Sequence, residues 1–126
     1  MEAGVRRFEQ PDSSKEFPNG NERVVEVGGV HVGYATFQPG WRWSNDVKPI
    51  VGSESCRRLH MGYILSGQLH VEMDDGTTLD AGPGNLFVIP PGHDGWVVGD
   101  EPCRMIDWAD TAQRYLDPVT EAEVPA

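Results

Sequence analysis

Four histidines (His31, His60, His70, His93) and two cysteines (Cys56, Cys103) are the side chains best suited to hold a metal ion or act as nucleophiles. Thiolate and imidazole together make a zinc set, completed by a carboxylate or a water. Two imidazoles with a carboxylate make a non-haem iron set. Taken singly, each residue has a plainer reading. His60 lies in LHMGYIL, a run apolar enough to be a buried strand, where a histidine is ordinarily a hydrogen-bonded core residue. A lone Cys56 is ordinarily a small core side chain. His70 alternates with Leu69 and Val71 and is expected on the outer face, and His31 lies on an early strand. Asp107, in the middle of an apolar strand, needs a partner if it faces inward and is a candidate pocket acid.

The elements that must position these groups are short strands. Gly 15 and Pro 10 make about a fifth of the 126 residues, with no repeat or low-complexity tract, so they read as turn punctuation. Residues 23–27, 30–37, 59–65, 68–73, 86–89, 96–98 and 103–108 read as strands, bounded by turns such as Asp74-Asp75-Gly76 and Pro90-Pro91-Gly92. Residues 41–53 show no clean period and read as a loop with extended pieces, and 109–117 as one or two helical turns. Strands at this spacing predict an all-β sandwich or barrel. The expected organisation is a flexible N-terminal arm at 1–21, one barrel at 22–110 and a tail at 111–126.

Composition removes several functions. Twenty acidic against ten basic residues give a net charge of −10, which repels phosphate and argues against nucleic acid and anionic membrane surfaces as partners. No run approaches the roughly 18 apolar residues of a membrane span. The first twenty residues lack the apolar core of a secretory signal. Two cysteines are too few for a disulfide framework, so free thiols and a cytoplasmic location are expected.

From Pro39 to Trp108 the chain resembles the cupins, small jelly-roll barrels that usually hold one metal ion. The family's first motif is an H-x-H pair, three or four residues, a glutamate, six residues and a glycine. Its second is a glycine, five residues, P-x-G, two residues, a histidine, three residues and an asparagine. The frame is present and the ligands are altered. Counting back from Gly67 of YILSG, the glutamate position is His60. The three-residue spacing then places the H-x-H pair at Glu54 and Cys56; the four-residue spacing gives Ser53 and Ser55, which are weaker ligands. Residues two apart on a strand share a face, which favours Glu54 with Cys56. In the second motif Gly84, Pro90 and Gly92 fit, the histidine position falls on Gly95, and His93 comes two residues early; the asparagine has no counterpart. The resemblance therefore implies an all-β fold, a single cupin jelly-roll β-barrel (double-stranded β-helix), with one divalent metal held by Glu54, Cys56, His60 and His93. The cysteine favours zinc; iron, nickel and manganese stay open.

Asp94, beside His93, either orients that ligand, moves protons, or caps the Pro-Pro-Gly corner. The segment 41–53 is longer than the family's and can fold over the barrel mouth. It carries Trp41, Trp43 and Lys48, which with Tyr63 and Trp96 form the expected substrate pocket; the alternative is that the tryptophans plug the barrel or a dimer interface. Three functions remain open. The first is a metal-dependent enzyme acting on a small organic molecule, with Asp94 or Asp107 moving protons. The second is a metabolite-binding or sensing module without turnover, and the third an accessory protein with a filled barrel. The resemblance also implies a homodimer.

Overall fold

The structure is a computed structural model in which residues 1–108 and 115–119 are described. Its strands are β1 (Ser13–Phe17), β2 (Gly20–Val27), β3 (Val30–Phe37), β4 (His60–Ser66), β5 (Gln68–Met73), β6 (Thr78–Ala81), β7 (Leu86–Ile89), β8 (His93–Val98) and β9 (Cys103–Asp107). They form a six-stranded antiparallel sheet in the order β1-β2-β3-β9-β4-β7 and a three-stranded one in the order β6-β5-β8. Inward residues recur with the strand period of two: Gly62 and Ile64 on β4, Leu69 and Val71 on β5, and Cys103, Met105 and Asp107 on β9 are all buried. Side chains from both sheets meet in one core, with Phe37, Ile64, Phe87 and Met105 on one side and Leu69, Val71 and Val97 on the other.

The mostly β expectation holds, but the sheets are not hydrogen-bonded into a closed barrel. Only two single bridges, Arg42 to Trp96 and Cys56 to His93, join the segment before β4 to β8. The residues between those two bridges coil into short helices instead of running beside β8. These are α1 (Trp43–Asp46) and α2 (Lys48–Val51), where a loop with extended pieces is expected from sequence. Trp43, Val47 and Val51 are spaced by four, so one helical face turns them all into the core, each burial contributing roughly 1.5–3 kcal/mol. Gly52, at φ 81, ends α2 in the left-handed region that glycine enters without steric cost.

The segment expected to be a flexible arm contains β1, paired along its length with β2, and Arg6 holds the Asp12 carboxylate with both guanidinium nitrogens at 2.9 Å. The helical turns expected at 109–117 and the tail lie mostly outside the described residues. Among the described residues, no helix is long and apolar enough to cross a membrane.

Candidate metal centre

Three of the four expected ligands converge. The ligand atoms of Cys56, His60 and His93 all lie within 4.8 Å of one another, and the Cys56 Sγ is 3.5 Å from His60 Nε2. Each arrives from a different piece of backbone. Cys56 and His93 are clasped main chain to main chain: the Cys56 N–H donates to the His93 carbonyl and the Gly92 N–H to the Cys56 carbonyl, both at 2.7 Å. His60 opens β4, which lies between β9 and the edge strand β7 of the large sheet.

Both imidazoles are held by their far nitrogens. His60 Nδ1–H donates to Asp107 Oδ2 at 2.9 Å, and His93 Nδ1–H donates to the Pro90 carbonyl at 2.8 Å. A carbonyl accepts and cannot donate, so His93 Nδ1 carries a proton and Nε2 is the nitrogen turned to the site. The same tautomer at His60 leaves Nε2 for the site. This is how imidazole ligands of metals are oriented in proteins. Asp107 reaches His60 from β9, where its neighbours across the ladders are glycines on both sides, Gly33 on β3 and Gly62 on β4. No side chain crowds it laterally, and the need for a buried partner read from sequence is met by the imidazole.

The electrostatics suit a ligating thiolate. Burial opposes ionisation of Cys56, but hydrogen bonds and positive charge from His60 and His93 outweigh it and bring the thiol below its usual range. Burial likewise opposes a charged His60, and is outweighed by the hydrogen bonds to Asp107 and Cys56, so His60 rises. Cys103, buried without such neighbours, is pushed up to about 11. The two cysteines are free thiols of opposite character.

Glu54 does not join the set. Its side chain is 93% exposed and its carboxylate takes the Lys48 ammonium at 3.2 Å. Residues 52–55 are not a strand, so the two-residue rule that placed Glu54 beside Cys56 does not apply; Ser53 and Ser55 turn inward instead. The expected substrate pocket divides in the same way. Trp41 and Trp43 line a cavity beside His60 and His93, together with Phe37, Met105 and Tyr115. Lys48, Tyr63 and Trp96 do not line it. Tyr63 is three positions from His60 and Trp96 three from His93, and an odd separation along a strand puts side chains on opposite faces. Trp96 stacks outside the sheet on His70, at 4.6 Å between centroids, and carries the Arg42 guanidinium 4.2 Å above its ring. Asp94 also faces away from the site. It accepts from the Ser44 N–H at 3.0 Å and from Arg42 Nε at 3.3 Å, and so ties α1 to β8.

Two residues that sequence reasoning passed over stand near the site. Tyr115 is buried, edge-on to His60 at 5.7 Å between centroids, and lines the cavity. Burial pushes its phenol well above the usual value. Glu22, inward on β2, is buried with its Oε1 unbonded and 3.7 Å from Lys15 Nζ. Burial pushes it up to about 8 although Lys15 pulls the other way. Its signal in the sequence is that it shares a strand face with Val24.

Comparison with known proteins matches residues 54–109 to a cupin domain, the stretch that carries Cys56, His60 and His93. The match supports membership of the cupin superfamily. No curated protein matches it. Among solved structures, this chain is similar to a protein of unknown function from Rhizobium leguminosarum, at 20% identity and a TM-score of 0.59, over 86% of this chain and 96% of that one. It is also similar to KdgF from Halomonas sp., at 22% identity and TM-score 0.51, over 72% of this chain and 77% of that one. A third likeness is to the oxalate decarboxylase of Lactobacillus farciminis, at 18% identity and TM-score 0.54, over 85% of this chain and 31% of that one. At these identities the likeness shows the cupin fold alone.

Proposed function

We propose that this cupin binds one divalent metal ion through Cys56 Sγ, His60 Nε2 and His93 Nε2 and uses it on a small organic molecule held in the adjoining cavity. The observation that carries the reading is the pinning of both imidazoles. With each Nδ1 occupied, by Asp107 and by the Pro90 carbonyl, the two Nε2 atoms and a thiol of lowered pKa face one another. When bound, the ion supplies Lewis-acid polarisation of an oxygen or an activated water. Three protein donors leave one position of a tetrahedron open, the pattern of catalytic rather than structural zinc sites, and the thiolate favours zinc over iron.

The chain's own residues do the rest. Asp107 holds the proton on His60 Nδ1, the Pro90 carbonyl holds it on His93 Nδ1, and the aromatic walls exclude water. One observation favours a second reading, a binding or sensing cupin without turnover: among the described residues, no carboxylate lines the cavity, so Asp94 and Asp107 are not placed to move substrate protons. Metal analysis of untagged protein tests the shared part. About one equivalent of metal, lost in Cys56→Ala, is expected; no stoichiometric metal in the native chain refutes it. Turnover against thermal shift without product separates the two readings.

Free buried thiols support a reducing, cytoplasmic setting. Leu86 and Val88, 73% and 56% exposed beside Tyr63 and Leu65 on the outer face of β4 and β7, support a second copy of the chain as partner. A monomeric mass by light scattering at micromolar concentration would exclude that.

A further inference from the structure

The basic residues of this acidic chain mostly have partners, and the exceptions are grouped. Arg6, Lys15, Arg42, Lys48 and Arg57 each stand within ion-pair distance of a carboxylate, and Arg58 donates to the Asp117 carbonyl. Of the described arginines and lysines, Arg7, Arg23 and Arg104 alone make no side-chain hydrogen bond or ion pair with a described residue. Two of those three, Arg23 and Arg104, line one open groove of about 400 Å³.

Strand register puts them there. Arg23 on β2 stands opposite Tyr34 of β3, and Arg104 on β9 stands opposite Thr36 of β3. Their chain neighbours Glu22, Val24, Cys103 and Met105 are buried, so the period of two turns both arginines to the outer face of the large sheet. At about 4.8 Å between strands and ~3.4 Å per residue, their Cα atoms lie roughly 12 Å apart, close enough for two long side chains to meet one ligand between them. The N-terminal segment makes the wall. Arg6 binds the Asp12 carboxylate and the Gln10 and Glu26 carbonyls, which holds the turn at 7–10 and lays Phe8 against Tyr34, 5.3 Å between centroids. The rest of the lining is the Thr36 hydroxyl, the Asn21 and Gln38 amides and the Glu9 carboxylate.

Arginine only donates, and its planar fork matches the oxygens of a carboxylate or a phosphate two at a time. Two such forks against one carboxylate leave the groove a net donor of positive charge. The hydroxyl and amide groups suit a ligand that also carries hydroxyls, and Glu9 offers those an acceptor. The chain's charge of −10 repels anions at long range, but salt screens that field within about 8 Å at physiological ionic strength, so the nearest charges govern.

We infer that this groove is a second ligand site, which takes a small hydroxylated oxyanion, a phosphate ester or a carboxylate, through Arg23 and Arg104. Asp107, three residues from Arg104 on β9, is buried on the other face of the sheet, so the groove is separate from the metal centre and does not depend on it.

The test titrates the chelator-treated full chain, at constant ionic strength, with glycerol 3-phosphate, glycerate and glycerol, followed by backbone amide and arginine Nε–H resonances. Saturable shifts at Arg23, Tyr34, Thr36 and Arg104 with millimolar anion are expected, and none with glycerol. The tighter of the two anions tells phosphate from carboxylate. Arg23→Gln and Arg104→Gln should each weaken binding about tenfold or more. Lys48→Ala removes the same charge elsewhere on the surface and should change it less than about twofold. No saturation by either anion at tens of millimolar, shifts confined to the residues around His60 and His93, binding of glycerol as tight as that of the anions, or equal weakening in all three variants would overturn the proposal. The titration of the native chain needs no variant to fold, and because metal is absent throughout, the metal reading stands or falls separately.

Discussion

Replacing Glu22 by glutamine should flatten the pH dependence of folding stability. The carboxyl is buried on β2, its Oε1 has no hydrogen bond, and the Lys15 ammonium stands 3.7 Å away, too far for one. Burial raises it from 4.5 to about 8 in the folded chain. A raised acid holds its proton more tightly when folded. Below pH 4.5 both states are protonated and no penalty exists; between 4.5 and about 8 the unfolded chain has released a proton that the folded chain keeps. Stability therefore falls by roughly 1.4 kcal/mol per pH unit across that window and levels off above it. From pH 5 to pH 7 the loss is about 2–3 kcal/mol. Glutamine keeps the shape and cannot ionise, though its own unpartnered amide costs about 1–3 kcal/mol at every pH. The slope of the difference is thus the measurement, not its intercept. Urea unfolding of the chelator-treated protein, followed by tryptophan fluorescence at several pH values between 5 and 8, gives it directly. Growth of the variant's relative stability by about 2–3 kcal/mol between pH 5 and 7 is expected. Parallel profiles for the two proteins would show that Glu22 is ionised in the folded chain and would falsify the burial argument.

Three further outcomes follow from the site. Asp107→Asn should lower metal affinity about 10–100-fold in a competition with a chromogenic chelator, because the amide carries no charge to strengthen the imidazole and can turn its NH2 to His60 Nδ1, so the tautomer is no longer fixed; unchanged affinity would remove Asp107 as a positioning residue. In metal-free protein the thiolate absorbance near 240 nm should rise with a midpoint near pH 6, from Cys56, while Cys103 stays protonated to about pH 11; the low transition should vanish in Cys56→Ser, and its persistence there would contradict the assignment. Glu54→Ala and Lys48→Ala should leave metal content and affinity unaltered, since the pair lies at the surface; a loss of metal in either, read by elemental analysis, would return Glu54 to the ligand set.

The residues that were legible in the sequence are those whose positions follow from strand parity and turn chemistry. Leu69 and Val71 inward, His70 outward, Asp107 needing a buried partner, and His93 just past the Pro-Pro-Gly corner all stand as that logic places them. The same parity argues against Tyr63 and Trp96 as pocket residues once His60 and His93 face inward. Glu54 was placed by a strand rule on a stretch that is not a strand. The helices α1 and α2 are four residues each, too short for a periodic signal except the Trp43, Val47, Val51 stripe, and Pro49 in their midst reads as a break although it occupies a helix start. Strand parity with Val24 turns Glu22 inward, but that it is left without a hydrogen bond, and that Tyr115 meets His60, depend on which distant segments they meet.

The seating of Tyr115 has a kinetic consequence. Its ring is packed against Phe17 and His60, and its segment is tied down by the Asp117 carbonyl accepting from Arg58 and the Val119 N–H donating to the Val51 carbonyl. A compound bulkier than the cavity has to displace part of its wall, and exposing a ring such as that of Tyr115 costs about 2–3 kcal/mol in surface, which leaves an open form populated on the order of 1%. Bulky ligands then bind with an apparent affinity reduced by that fraction, and their observed on-rate reaches a ceiling set by how often the wall opens, whatever their concentration. Compounds of a few atoms escape both penalties, so the protein sorts its ligands by size through timing as well as through fit.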